Sequence, residues 1–231
     1  MQFVAEKVTH SLNDTFVLYQ MMLLTSAMID NKSLFIDPYV AALVPPVLTC
    51  LIGRHLGPEG SDNLVEQYKL RDIAASLIGL MTTKYGSSSL QLRPRLARTA
   101  LKLFLDPSRA LTEHYGAISG ILAIGGADGV RTLVLPNIKA YEYVIKKAEN
   151  ERGSTDTDLM MIIAALVKAV ESLGGESSGM EFTNGTHTSA QETLQLEEYL
   201  GTVIGSRIAA KNNHALTNAL LLAKEKESKD S

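Results

Sequence analysis

The sequence has no tryptophan, one cysteine, 6% aromatic residues and a net charge of only −3 over 231 residues. Each shortage removes a class of protein. A lone cysteine, Cys50, cannot close an internal disulfide, which excludes a cystine-stapled scaffold. Its place in the apolar run 47–52 predicts a buried, inert thiol in a reducing compartment. Charge so near balance argues against a strongly basic nucleic-acid binder and against an acidic tail protein. The longest apolar runs, 16–29 and 40–53, are interrupted by Gln20 and by Pro45-Pro46. Both fall short of the roughly 18 to 20 residues that a spanning helix needs, and no basic segment precedes the first, so neither a membrane span nor a signal peptide is expected. His10, His55, His114, His187 and His214 are scattered, with no cysteine or carboxylate at ligand spacing, so no metal and no cofactor is predicted. Gly125-Gly126-Ala127-Asp128-Gly129 lacks the Gly-Lys-Ser/Thr ending of a phosphate loop and reads as a turn. Gly116-Ala117-Ile118-Ser119-Gly120 lacks both the spacing of a nucleophile elbow and a strand before it. Enzymatic chemistry is left without residues to carry it.

What is present is helix. Residues 2–10 read as the last turns of a helix whose beginning is missing. Asn13 or Asp14 caps a second helix to about 30, with Leu12, Phe16, Tyr19, Leu23 and Ala27 as its apolar stripe. Asp37-Pro38 opens a third, about 38–55, which Pro45-Pro46 must kink. A fourth, about 64–85, ends at Gly86, and a fifth runs from Ser87-Ser88-Ser89 to Leu105, where Asp106-Pro107 breaks it. A sixth, about 110–124, is separated by Gly125-Gly126 from a seventh, about 127–150. Thr155 or Asp156 caps an eighth, 157–173. The four-glycine segment 174–188 is predicted to be a mobile loop, after which a pair of helices, 189–211 and 213–225, closes the array. Residues 226–231 form a frayed charged tail.

These helices recur. Pro46, Pro94 and Pro136 lie 48 and 42 residues apart, and the small-residue helix beginning at Leu70 is echoed 44 positions later at His114. A two-helix period of roughly 40 to 47 residues is that of HEAT or armadillo repeats. The expected fold is all-α: a HEAT-repeat (armadillo-like) α-solenoid of about five antiparallel helix pairs, one domain over 1–225. Gly116 and Gly120, each costing about 1 kcal/mol against alanine inside a helix, predict that a neighbouring helix needs the space.

One stretch invites a functional reading. From Lys84 to Arg109 there are six cations against one carboxylate, Asp106. Arg95, Arg98 and Lys102 stand at i, i+3 and i+7 on one helix face, with Arg93 beside them, and these four are the candidate partner-binding residues. A solvated face is the plain alternative. Among partners, an acidic protein segment is preferred to nucleic-acid phosphate, because no aromatic residues interleave the arginines to stack bases. Arg71-Asp72, in the fourth helix, reads as a structural pair tying successive repeats together.

Taken together, the block from Tyr39 to Cys50, the block Leu70-Arg71-Asp72-Ile73-Ala74-Ala75-Ser76-Leu77, Tyr115-Gly116-Ala117-Ile118-Ser119-Gly120 and the block from Val130 to Pro136 resemble, in order and spacing, the C-terminal HEAT domain of subunit six of the TATA-binding-protein-associated factors. The resemblance covers about residues 1–145. It implies a non-enzymatic nuclear scaffold of the general transcription factor TFIID, and in some organisms of the SAGA coactivator, docking other subunits for RNA polymerase II initiation. The family's N-terminal histone fold is absent, so the chain looks like an excised C-terminal domain. The repeat period alone equally permits a HEAT adaptor of transport or phosphatase-regulatory type.

Overall fold

Apolar side chains recurring every three to four residues, with breaks at proline, glycine and Asp/Ser/Asn clusters, make the chain helical, and no strand occurs among the described residues. The computed structural model describes residues 1–58, 64–175 and 188–230, with side chains as far as 226. The fold is an all-α solenoid of the HEAT class, as expected. Two compact units make up the chain, Met1–Gly125 and Gly126–Ser231.

The first unit holds α1 (Gln2–His10), α2 (Thr15–Asp30), α3 (Val40–Ile52), α4 (Leu64–Tyr85), α5 (Leu92–Phe104) and most of α6 (Leu111–Gly129). Asp14 caps α2, its carboxylate accepting from the Val17 N–H at 3.0 Å. Asp37-Pro38 forms a single 3-10 turn, Asp37–Tyr39, ahead of α3, and both Pro45 and Pro46 stay inside that helix. The serines expected to open α5 instead prolong the end of α4: the Ser89 N–H and the Ser88 hydroxyl both donate to the Tyr85 carbonyl, so α5 begins at Leu92. Leu18, Met22, Leu43, Val47, Leu70, Ile78 and Met81 fill the core between α2, α3 and α4. Cys50 is buried there too, and burial pushes its thiol up to about 12, which makes it the inert group expected.

Three helices meet at the C-terminal end of α3. Arg71, fully buried on α4, donates from Nη1 to the Leu51 carbonyl (2.7 Å) and from Nη2 to the Gly53 carbonyl (2.8 Å), so one guanidinium closes the last turn of α3. Gly116 of α6 lies against the same carbonyl: a Cβ there would sit 2.0 Å from the Leu51 oxygen. Asp72, next to Arg71, accepts from the Tyr115 hydroxyl at 2.7 Å and ties α4 to α6. The Arg71-Asp72 pair thus joins helices, the structural role read from the sequence.

The second unit holds one wide π turn (Val130–Val134), α7 (Leu135–Arg152), α8 (Thr157–Glu171), a 3-10 turn (Ser172–Gly174), α9 (Ala190–Leu200), α10 (Thr202–Ala209) and α11 (His214–Asp230). Asp156 caps α8, and Ser189 with Glu192 forms a reciprocal capping box on α9. The break expected at Gly125-Gly126 is present: Gly126 takes a non-helical φ of +56° and ψ of −147°, and helical backbone resumes after it. One expectation is corrected here. The single helix expected over 189–211 is two, because Gly201 takes φ +87° and starts a new helix whose first N–H groups are met by Glu142 of α7: its Oε1 accepts from the N–H of Thr202 (2.7 Å) and of Val203 (3.2 Å) and from the Thr202 hydroxyl. Gly205 then lets α10 cross α9 closely, since a Cβ there would lie 2.5 Å from the Glu197 Cα.

The helical run Leu111–Arg152 is, by length and composition alone, long and apolar enough to cross a membrane, a run the sequence reading divided at Gly125-Gly126. It is kinked at Gly126, and Ala117, Ile118, Ile121, Val130 and Val134 on it are buried in protein, as in a core helix. The helix at the C-terminus continues to Asp230 where a frayed tail was expected from 226. The predicted mobile loop 174–188 lies, apart from its ends, outside the described residues.

Candidate functional site

Helix α5 is anchored by Leu92, Leu96, Ala100 and Phe104, all buried and spaced every four residues, so its opposite face must meet solvent. On that face stand Arg95, Arg98 and Lys102, all exposed, and the exposed Leu105 extends the stripe at i+10. Arg93 is also exposed, but two positions before Arg95 it is turned about 200° around the helix and does not share the stripe. None of the four forms an ion pair or side-chain hydrogen bond with a described residue.

The other two cations of the stretch are spent inside the fold. Lys84 donates to the Ile29 carbonyl at the end of α2. Arg109 pairs with Asp106 (2.9 Å) and Glu113 (3.4 Å). Hydrogen bonds from the Ser108 hydroxyl and N–H, and then from Arg109, hold Asp106 down at about 2. Glu113 is buried and caps the turn by accepting from the Ala110 N–H at 3.0 Å, while burial keeps the adjacent His114 imidazole below its ordinary range, with Glu113 opposing. These groups fix the turn between α5 and α6 and leave α5 as the free basic surface.

Placement of Arg93 and Arg95 runs against the helix dipole, whereas Lys102 in the last turn runs with it. The first turn of α5 carries Arg93 and Arg95 and no carboxylate, and no side chain caps it. Cations near a helix N-terminus cost about 0.3–1 kcal/mol each, so folding alone does not favour them there.

No group of three His, Cys, Asp or Glu that could hold a metal lies among the described residues. The segment Gly116–Gly120, weighed as a nucleophile elbow, is buried mid-helix in α6, and Gly125–Gly129, weighed as a phosphate loop, is the kinked end of that helix.

Comparison with known proteins places these features in a family. The model of the TAF6 C-terminal HEAT repeat domain matches residues 1–139. The SAGA complex/transcription factor TFIID complex subunit Taf6 of Schizosaccharomyces pombe is 34% identical over 223 residues, which is 96% of this chain and 48% of that protein. Transcription initiation factor TFIID subunit 6 of Arabidopsis thaliana is 41% identical over 139 residues, 60% of this chain and 25% of that protein. Its counterpart in Drosophila melanogaster is 30% identical over 141 residues, 59% of this chain and 22% of that protein. The chain therefore spans at most about half the length of these relatives.

Proposed function

The chain belongs to the TAF6 C-terminal HEAT repeat family, and from that premise we propose that it is a nuclear, non-enzymatic scaffold of TFIID, and of SAGA where the two share this subunit, docking other subunits for transcription initiation. The observation that carries the docking role is the α5 face. Arg95, Arg98 and Lys102 are exposed and unpaired among the described residues, on a helix whose other side is locked into the core, and Arg95 stands in the first turn against the dipole. Around them, Arg71 and Gly116 hold α3, α4 and α6 together, so the face is presented on a stiff support. An acidic segment of another subunit is the partner such a face suits: clustered guanidinium and ammonium groups pair with carboxylates, and long-range attraction speeds encounter. Arg93, turned to the other side of the helix, contributes to the local field rather than to the contact.

Purification of the tagged protein from nuclear extract, with the co-purifying chains identified by mass spectrometry, tests this reading. Recovery of TFIID or SAGA subunits is the expected result. Recovery of importins or phosphatase subunits in their place would make the chain a HEAT adaptor of another kind and overturn it.

A further inference from the structure

Two loops of the first unit expose bulky apolar side chains that its core leaves unused. In the segment joining α2 to α3, Phe35 is 75% and Tyr39 52% exposed, and in the segment joining α4 to α5, Leu90 is 78% exposed. Single exposed apolar residues are common on any surface, whereas several gathered on adjoining loops are the mark of an interaction site. These loops do adjoin. The Ser88 hydroxyl lies 3.3 Å from the Asp37 carboxylate, and the Lys84 ammonium donates to the Ile29 carbonyl at the foot of the first loop. Each loop is held in shape by its own backbone: the Leu34 N–H donates to the Asn31 carbonyl at 3.1 Å and Ile36 is buried, while the Leu92 N–H donates to the Ser89 carbonyl at 2.9 Å. Phe35, Tyr39 and Leu90 thus stand on ordered turns, which lowers the entropy lost when a partner covers them.

Charge gives the surface a direction. The loop end carries Asp30 and Asp37 against Lys32, with the Lys84 ammonium spent on the Ile29 carbonyl. Helix α5, which begins two residues after Leu90, carries Arg95, Arg98 and Lys102 with no carboxylate partner among the described residues. Gln91, exposed and one turn before Arg95, continues the same face back to Leu90. One end is therefore apolar and faintly acidic, and the other is basic.

We propose that the loops and the α5 face together dock one bipartite segment of a partner protein, with bulky apolar residues against Phe35, Tyr39 and Leu90 and a run of carboxylates along Arg95, Arg98 and Lys102. The proposal rests on the docking role given to the α5 face and adds to it an apolar anchor and a direction. Asp30 and Asp37 repel the acidic part from the loops, and the three cations draw it along the helix. From Gln91 to Lys102 the helix rises about 16 Å, which about five residues of extended chain cover. Apolar burial holds the segment, and the charges speed its arrival.

The test uses the 231-residue chain and two labelled synthetic peptides, each made in both chain directions, with binding read by fluorescence anisotropy. The first sets leucine and phenylalanine beside a run of about five glutamates, the extended length that spans the α5 face, and the second has serine in place of the apolar residues. Wild type is expected to bind the first about tenfold or more tightly than the second. Phe35→Ser with Leu90→Ser is expected to remove that difference and to leave binding of the all-acidic peptide unchanged, with a circular dichroism melt matching wild type because both side chains are exposed. Arg95→Glu, Arg98→Glu and Lys102→Glu together are expected to weaken both peptides. Equal binding of the two peptides by wild type, or a loop variant that still prefers the first, would overturn the bipartite segment and leave the α5 reading standing. Binding of neither peptide would overturn both. Self-association of wild type in analytical ultracentrifugation that the loop variant abolishes would give the patch to a second copy and also overturn the proposal.

Discussion

At the scale of the residue, the Leu51 carbonyl decides how α3, α4 and α6 can pack. It accepts from Arg71 and is overhung by the Gly116 backbone, so nothing larger than hydrogen fits at Gly116. Gly120, one turn on, is less confined: a Cβ there would lie 3.1 Å from the Leu51 Cδ2, the end of a flexible side chain. Gly116→Ala is therefore expected to destabilise by about 1–3 kcal/mol, since a backbone carbonyl and the Arg71 hydrogen bond must shift together. Gly120→Ala gains helix propensity of up to about 1 kcal/mol and is expected to be neutral or mildly stabilising. Chemical denaturation of the two variants checks the order, and a Gly120→Ala loss as large as that of Gly116→Ala would show that the close approach has been misplaced. The sequence made both glycines legible as points of helix contact. It could not rank them, because the clash depends on where a carbonyl 65 positions earlier comes to rest.

At the scale of the element, what could be read in advance was what is local. Asp14, Asp156 and the Ser189/Glu192 pair cap their helices through bonds that span three residues, and each helix start follows from its own few residues. The break between α9 and α10 could not be read in this way, because Glu142, which meets the first N–H groups of α10, is 60 positions away in sequence. Likewise the α5 stripe follows from spacing, whereas the withdrawal of Lys84 and Arg109 from it needs the fold.

Glu142 gives the element-scale prediction. Burial raises its carboxyl, but the hydrogen bonds from Thr202, Val203 and Lys146 outweigh burial and leave it below its ordinary 4.5. A carboxyl lowered in the fold contributes stability that is present above its unfolded value and is lost as pH falls through the folded one. The α9–α10 region is therefore expected to loosen on acidification below about pH 4.5, where Glu142 takes up its proton. Glu142→Gln removes the charge at the α10 N-terminus at every pH. It is expected to cost about 0.5–2 kcal/mol at neutral pH and to flatten this part of the acid transition. Acid titrations followed by circular dichroism check it, and superimposable wild-type and variant curves would contradict it.

At the scale of the whole molecule, the account joins a family membership to a surface. TAF6-family chains carry this HEAT domain, and here one helix of it offers three exposed cations without a carboxylate partner among the described residues. Exposed charges contribute roughly 0–1 kcal/mol per pair to stability, so Arg95→Glu, Arg98→Glu and Lys102→Glu together should leave the fold intact. On the proposed docking role their effect falls on encounter with a partner. The most direct measurement is the association rate of wild-type and triple-variant chains with TFIID depleted of its TAF6 subunit, taken across a range of ionic strength, with promoter and random duplex as parallel probes. The account predicts a slower, less salt-sensitive association for the variant, unchanged melting, and no duplex binding by either protein. Equal association rates for the two proteins, or steeply salt-dependent binding of wild type to any duplex, would contradict it.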